Sequence, residues 1–321
     1  MNAPTAAIST ADVEAAAARI AAAIRPVVLA DAEPGIAGAA RISLALEYMQ
    51  HTGSFKARGA ANLAAFHRDA GTMPQAGVVI ASGGNAGLAC AWAAKATGTP
   101  ATVFLPTTAP KFKVDKLRSY GARVELVGSE YAHALEASRT YAQQTGALLS
   151  HAYDHPLIAA GAGTLAAEIV ERQPGVDTIM VAVGGGGLFS GIAAVAARHG
   201  IKVVAVEPRY CRALNAAIEA GGPVDTPLDS IAADSLGARR VSRMAYDLAR
   251  ITGAISVLVS DEAIAQARQA LWDQRRIVVE YGGATALAAL LSGAYVPADG
   301  EHVAVVLCGA NTDPTDLVVR T

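Results

Sequence analysis

Residues 179–197 run for 19 positions without a charged side chain, which is long enough for a helix to cross a bilayer. Their centre is Gly184, Gly185, Gly186 and Gly187. Each glycine weakens a helix by up to about 1 kcal/mol relative to alanine, so the run reads as a buried strand, a glycine turn and a buried helix. The same rhythm governs most of the chain. Short apolar runs at 78–81, 101–105, 123–127, 178–183, 202–206, 255–259 and 303–307 are expected as strands. Residues 85–97, 110–120, 130–145, 157–171, 188–199 and 261–274 are expected as helices, the second with Pro110 in its first turn. Such alternation predicts an α/β fold of parallel sheets covered on both faces. With 321 residues, against a usual domain size of about 150, the chain has length for two domains. Residues 70–150 read as a βαβαβα unit inserted into a larger α/β domain formed by 1–69 and 151–321.

Apolar residues make up 52% of the chain, charged residues 17% and aromatics 5%, so Ala, Val, Leu and Ile carry the hydrophobicity and disorder is excluded. Twenty-six Lys and Arg against 28 Asp and Glu give a net charge of −2. That balance offers no electrostatic footprint for nucleic acid or an anionic membrane, which leaves small-molecule chemistry. Cys90, Cys211 and Cys308 lie far apart with no CxxC, so neither a disulfide framework nor a zinc cluster is expected. The N-terminal stretch meets acidic residues before any apolar run and lacks an export signal, so a reducing, cytoplasmic location is expected.

Lysine is rare against arginine, so each one is informative. Lys111, Lys113 and Lys116 read as a solvated helix face, and Lys95 and Lys202 flank loops. Lys56 differs, because it lies in HTGSFKARG at 51–59, where Thr52 to Ser54 offer turn and capping chemistry before a helix. The positive end of a helix disfavours an ammonium and favours the neutral amine that attacks an aldehyde; the alternative is an ordinary surface lysine. The run SGGNAG at 82–87 falls between a strand and a helix, where backbone N–H groups bind a carboxylate or phosphate; a bare turn is the alternative. The tetraglycine turn, followed by Leu188, permits close approach of a phosphate.

A dinucleotide competes for that turn, since Glu207 ends the next strand about 20 residues on, where a Rossmann acid binds ribose. GxGxxG is not satisfied in any register, however, as Leu188, Phe189 or Ser190 occupies a required glycine position. Cys308, in LCGAN at the end of the last strand, sits at the edge where open α/β sheets bind ligands, or is a small buried hydrophobe. His151 and His155 have metal-compatible spacing, yet Asp154 and Pro156 indicate a loop.

Together these features resemble the serine/threonine dehydratase branch of the pyridoxal-phosphate enzymes of fold type II, the tryptophan synthase β-like group. Glu47 and the run from Gln50 to Gly59 carry the longest match. The resemblance implies two open, twisted parallel-sheet domains with pyridoxal 5′-phosphate in the cleft between them. By it, Lys56 is the Schiff-base lysine, Phe55 packs on the ring and Asn85 bonds the 3′ oxygen. Ser82, Gly83, Asn85 and Ala86 hold the substrate carboxylate, Gly184 to Gly187 with Leu188 hold the phosphate, Cys308 faces the ring nitrogen and Glu280 lies near the ring.

The implied activity is dehydration of L-serine or L-threonine by a homodimer, giving a 2-oxo acid and ammonia. Alternatives are a dehydratase of 3-hydroxyaspartate or phenylserine, a dinucleotide-dependent oxidoreductase and a non-catalytic amino-acid sensor. Gly83 stands where racemases of the group carry serine, which disfavours racemisation. Glu207 matches metal-dependent relatives, but Ala213 stands where they carry aspartate; a divalent ion is disfavoured and a monovalent ion held by carbonyls stays open. The common Glu-Pro-Ser run is Glu280, Tyr281 and Gly282 here. Arg139 aligns with an arginine that reaches a bound dicarboxylate in related serine racemases, or pairs with Glu136 or Glu130.

Overall fold

Strands buried at every position, such as Val78–Ala81 and Thr178–Ala182, are what a parallel sheet covered on both faces requires. The computed structural model describes residues 8–33 and 35–318. The outermost ends of the larger unit expected from the sequence, and the first residues of the stretch read for an export signal, lie outside the described residues. The strands are β1 (Leu29–Asp31), β2 (Arg41–Ala45), β3 (Val78–Ala81), β4 (Ala101–Leu105) and β5 (Arg123–Leu126). They continue with β6 (Leu148–Leu149), β7 (Thr178–Ala182), β8 (Lys202–Pro208), β9 (Ile255–Val259) and β10 (His302–Val306). The helices begin with α1 (Thr10–Ile20), α2 (Lys56–Asp69), α3 (Asn85–Ala96), α4 (Lys111–Ser119), α5 (Tyr131–Thr145) and α6 (Pro156–Arg172). After them come α7 (Gly187–His199), α8 (Ala213–Ala220), α9 (Ala233–Leu236) and α10 (Arg243–Thr252). The last are α11 (Asp261–Arg275), α12 (Tyr281–Leu291) and α13 (Thr315–Val318).

Six strands form one sheet in the order β1-β2-β10-β7-β8-β9, and four form another in the order β5-β4-β3-β6. Pairing is parallel throughout both sheets except at one edge, where β1 runs antiparallel to β2. That edge is the one departure from the parallel sheets expected: only a short connection joins the two strands, too short for a parallel crossover. Alternate residues of β7 enter opposite layers. Ile179 and Val181 pack with α6, α7 and α10, whereas Met180 and Ala182 pack with α11 and α12. The small sheet does the same, with Val78 and Ile80 facing α3 and α4 and Val79 and Ala81 facing α5.

One local expectation is also corrected and another refined. Pro110 is the N-cap of α4 rather than a residue of its first turn, since its ψ of 137° is extended. Lys113 keeps a solvent-facing position but is not a free surface amine: it reaches the exposed Asp234 of α9 at 3.1 Å, joining the element beside one sheet to that beside the other.

Behind the start of α2 lies a buried ion cluster. The Arg58 guanidinium is 0% exposed and donates to Glu47 Oε1 at 2.7 Å, Glu168 Oε1 at 2.6 Å and Thr164 Oγ1 at 3.0 Å. Glu168 in turn accepts from the Val27 amide at 2.6 Å, so α2, α6 and two N-terminal segments share one network. Removing one partner of such a cluster strands the others without compensation. Arg58→Leu is therefore expected to lower unfolding free energy by about 3–5 kcal/mol, read from urea denaturation; a loss under about 1 kcal/mol would refute the structural weight given to the cluster.

Candidate active site

The carboxyl ends of β7 and β10 converge with the segment preceding α2, as expected for ligand sites in open α/β sheets. They enclose a small cavity open to solvent on one side. Its lining includes Phe55, Lys56, Asn85, Gly184, Gly185, Gly186, Gly187, Leu188, Glu280 and Cys308. These sequence-selected residues thus meet in one place. Ser82, Gly83 and Ala86 occupy the turn around Asn85 and do not line the cavity. Arg139 stands on α5 with its side chain 54% exposed and its nearest carboxylate, Glu136, 4.0 Å away; it does not line the cavity either.

Lys56 is the first residue of α2, after Phe55 as N-cap. The expected cap at Thr52 to Ser54 is absent, because Phe55 makes no side-chain cap and the buried Ser54 Oγ has no partner among the described residues. The reason for a neutral amine is correspondingly different. Burial pushes Lys56 down to about 8, while the neighbouring Glu280 carboxyl pulls the other way. Its Nζ donates to the Ala152 carbonyl at 2.7 Å and lies 4.7 Å from the Phe55 ring centre.

Opposite the amine, the tetraglycine turn leads into α7, whose N-cap Gly186 has φ +93° and whose start carries no side-chain cap. The opening N–H groups of a helix of this length favour an anion. A side chain at Gly185 is excluded, since its Cβ would lie 2.3 Å from the Tyr153 ring.

A third wall is polar and tightly linked. Asn85 Nδ2 donates to Glu280 Oε1 at 2.8 Å, and Asn85 Oδ1 accepts from Asn311 Nδ2 at 2.7 Å. Asn311 Nδ2 also donates to the Thr52 carbonyl at 2.7 Å, and the Phe55 amide donates to the Cys308 carbonyl at 3.0 Å. Burial pushes Glu280 up to about 7 against the opposing Asn85 bond. Burial and the neighbouring Glu280 push the Cys308 thiol well above its ordinary range, so it stays protonated.

Sequence reasoning missed Tyr153, Ser235 and Leu236, which also line the cavity, and no local motif marks them. Its reading of 151–155 as a loop rather than a metal-binding helix face agrees with the structure. There His151 Nδ1 accepts from the Tyr153 and Asp154 amides at 3.2 and 2.8 Å, and His155 Nδ1 accepts from Leu157 at the start of α6. Both histidines shape the loop that turns Ala152 toward Lys56. The dinucleotide reading of Glu207 fails, because the side chain is fully buried and its two oxygens accept from the Leu214 and Asn215 amides at 2.8 Å. Burial raises this carboxyl to about 8. Among the described residues no group of three or more His, Cys, Asp or Glu side chains is placed to hold a metal ion. No described helix is long and apolar enough to cross a membrane.

A desolvated amine, a glycine-rich helix start and a protonated thiol around one cleft of an α/β fold define an enzyme site for an aldehyde-bearing phosphate cofactor. A family model described as pyridoxal-phosphate dependent enzyme matches residues 21–309, and the chain belongs to that family. The chain is 36% identical over 270 residues to the L-threonine ammonia-lyase of Geobacter sulfurreducens, covering 83% of this chain and 66% of that protein. It is 35% identical over 275 residues to the phenylserine dehydratase of Ralstonia pickettii, covering 85% and 83%. The structure of maize serine racemase superposes with a TM-score of 0.90 at 29% identity, over 98% of this chain and 96% of that one. For the threonine deaminase of T.th. the TM-score is 0.84 at 33% identity, over 95% and 99%.

The amine makes a direct test available. In cofactor-free protein, acylation of Lys56 followed by mass spectrometry is expected to reach half its limiting rate near pH 8 rather than near 10.5. Free amine, and hence rate, rises with pH through that midpoint. A midpoint above 10 would overturn the desolvation argument.

Proposed function

We propose that the chain is a pyridoxal-phosphate-dependent ammonia-lyase that dehydrates a β-hydroxy amino acid, L-serine or L-threonine foremost, to a 2-oxo acid and ammonia. The observation that carries the reading is the desolvated Lys56 amine in the same cavity as the glycine turn and Cys308. The names of the relatives, among them a threonine ammonia-lyase and a phenylserine dehydratase, support it.

The residues present fit the cofactor by the chemistry of their donors. The N–H groups from Gly184 to Leu188 suit its phosphate, Phe55 its ring face, Asn85 its phenolic oxygen and Cys308 its ring nitrogen. When bound, pyridoxal phosphate supplies an aldehyde that condenses with amines and a ring that delocalises charge from the substrate's α carbon. Lys56 Nζ, once free, takes the α proton as general base. The turn at Ser82, Gly83, Asn85 and Ala86 orients the substrate carboxylate through the N–H groups at the start of α3. The protonated Cys308 thiol leaves the ring nitrogen without a carboxylate partner, which favours expulsion of a β hydroxyl over prolonged carbanion lifetime. Net, the substrate loses water, and hydrolysis then releases ammonia.

One observation favours a second substrate reading. Burial is the main cause holding His151 below its ordinary range, and against Asp154 the Lys56 and, least, the Arg139 charges add to it, so Arg139 acts weakly on the loop bearing Ala152 and Tyr153. A guanidinium there suits the second carboxylate of 3-hydroxyaspartate. Residues 70–150 form the smaller unit in this reading, and the assembly is a cytoplasmic homodimer, which sedimentation tests.

Three outcomes are expected. Lys56→Ala loses both the yellow absorbance of the loaded protein and 2-oxo acid production; covalently retained cofactor in that variant would refute the assignment. Gly83 presents no group on the far face of the α carbon, so chiral chromatography of residual L-serine is expected to show negligible D-serine. Arg139→Ala is expected to cut turnover efficiency for 3-hydroxyaspartate about 10- to 150-fold relative to serine and threonine, the worth of one charge-assisted contact; an equal change for all three substrates sinks the dicarboxylate reading and leaves serine and threonine.

A further inference from the structure

We propose that Arg268, which touches neither the cavity nor Lys56, is a positioning residue that clasps the two segments bearing Glu280 and Cys308 and so sets the Glu280 carboxyl against the Lys56 amine. Arg268 is 2% exposed on α11. Its Nε donates to the carbonyl of Val279, the residue before Glu280, at 2.8 Å. Its Nη2 donates to the Asp313 carbonyl at 3.1 Å and its Nη1 to Asp316 Oδ2 at 2.5 Å, both on the stretch of chain that follows Cys308 and Asn311. The guanidinium also lies 4.7 Å from the ring centre of Tyr281, whose hydroxyl donates to the same Asp316 oxygen at 3.1 Å. One planar fork thus meets two carbonyls, a carboxylate and a ring, a set that an ammonium cannot reproduce.

In front of the clasp the same two segments touch again. The Glu280 amide donates to the Gly309 carbonyl at 3.0 Å, and a Cβ at Gly309 would lie 2.4 Å from Glu280 Oε1. The tolerance for Glu280 is therefore small, and a shift of either segment moves its carboxyl. Tyr281 occupies the first position of α12, where a proline would have fixed the helix entry through its own ring; the Arg268 stack on Tyr281 supplies that constraint from outside. The charged and titratable groups facing Glu280 are Lys56, Asp234 and Cys308, with Asn85 and the Asn311 amide as its hydrogen-bond donors, and those facing Lys56 are Glu280, Cys308 and His151. Behind the clasp, Arg268 holds the half-exposed Asp316 carboxyl below its ordinary range.

The inference rests on Lys56 and Glu280 sharing one site. Its test is read on cofactor-free protein, so its failure is separable from failure of the dehydratase reading. Glu280 raises the proton affinity of Lys56, so loosening the clasp is expected to lower the pH midpoint of Lys56 acylation. For Arg268→Gln the expected fall is about half a pH unit, a roughly threefold faster acylation at pH 7. Mere loss of a nearby cation predicts the opposite sign. In a Glu280→Gln background, adding Arg268→Gln is expected to leave the midpoint where it is, because the carrier of the effect is gone. An unchanged or raised midpoint in the single variant overturns the proposal. So does an equal fall in the Glu280→Gln background, which would show that the effect does not run through Glu280; general loosening of the cavity would relieve burial and raise the midpoint instead. Should Arg268→Gln not fold, Asp316→Asn opens the clasp at its half-exposed end and is read by the same pair of measurements, with the same overturning results.

Discussion

Placing β10 between β2 and β7 is the constraint from which the site follows. Parallel pairing of β10 with both neighbours sends three chain segments out of the sheet at the same edge. These are the segment after β2, which ends at Lys56, the glycine turn after β7, and Cys308 with Asn311 after β10. None is near another in sequence. Their convergence needs no motif beyond strands apolar on both faces, whose side chains commit β7 to two hydrophobic layers at once.

Convergence brings titratable groups out of water, and desolvation then decides their charge. It lowers Lys56 to about 8 and raises Glu280 to about 7, so the amine and the carboxyl approach each other from opposite sides. The same force acts on Glu207, where it serves a different end: two backbone amides at the start of α8 satisfy the carboxyl and close off any ligand. Equal burial thus yields a reactive pair in one place and a structural cap in another. The difference is that Glu207 meets only backbone donors and the Arg212 charge, whereas Glu280, besides Asn85 and the Asn311 amide, shares the cavity with the Lys56 amine.

Much of the architecture was legible from periodicity. The strands expected at 78–81, 101–105 and 255–259 are β3, β4 and β9 with the same bounds, since each is an apolar run flanked by turn residues. The irregular stretch before 255 in fact holds α8, α9 and α10. Of these α10 was readable, because Ser242 accepts from the Ala245 amide at 3.1 Å and Met244, Ala245, Leu248 and Ala249 recur on one face. By contrast β6 has only Leu148–Leu149 and exists through its pairing with β3, which no local pattern encodes. The cavity divides in the same way. Lys56 and the glycine turn announce themselves in short runs, whereas Tyr153, Ser235 and Leu236 arrive from loops whose path is set by distant elements.

The glycine turn reads from sequence as room for a phosphate, but each of its glycines also has a reason inside the protein. A Cβ at Gly185 or Gly187 would meet Tyr153 at 2.3 and 2.9 Å, one at Gly184 would meet the Leu236 backbone at 3.0 Å, and Gly186 adopts φ +93°. The two readings are not rivals. Tyr153 can lie on the turn because side chains are missing there, and the same omission leaves the N–H groups at the start of α7 open to the cavity. Tyr153 belongs to the loop whose shape His151 sets through two backbone amides. The neighbouring carbonyl of Ala152 receives the Lys56 amine at 2.7 Å. One five-residue loop, 151–155, therefore touches both the anion end and the amine end of the cavity. A displacement of that loop would alter both ends together, within the spacing that β2 and β7 set through β10.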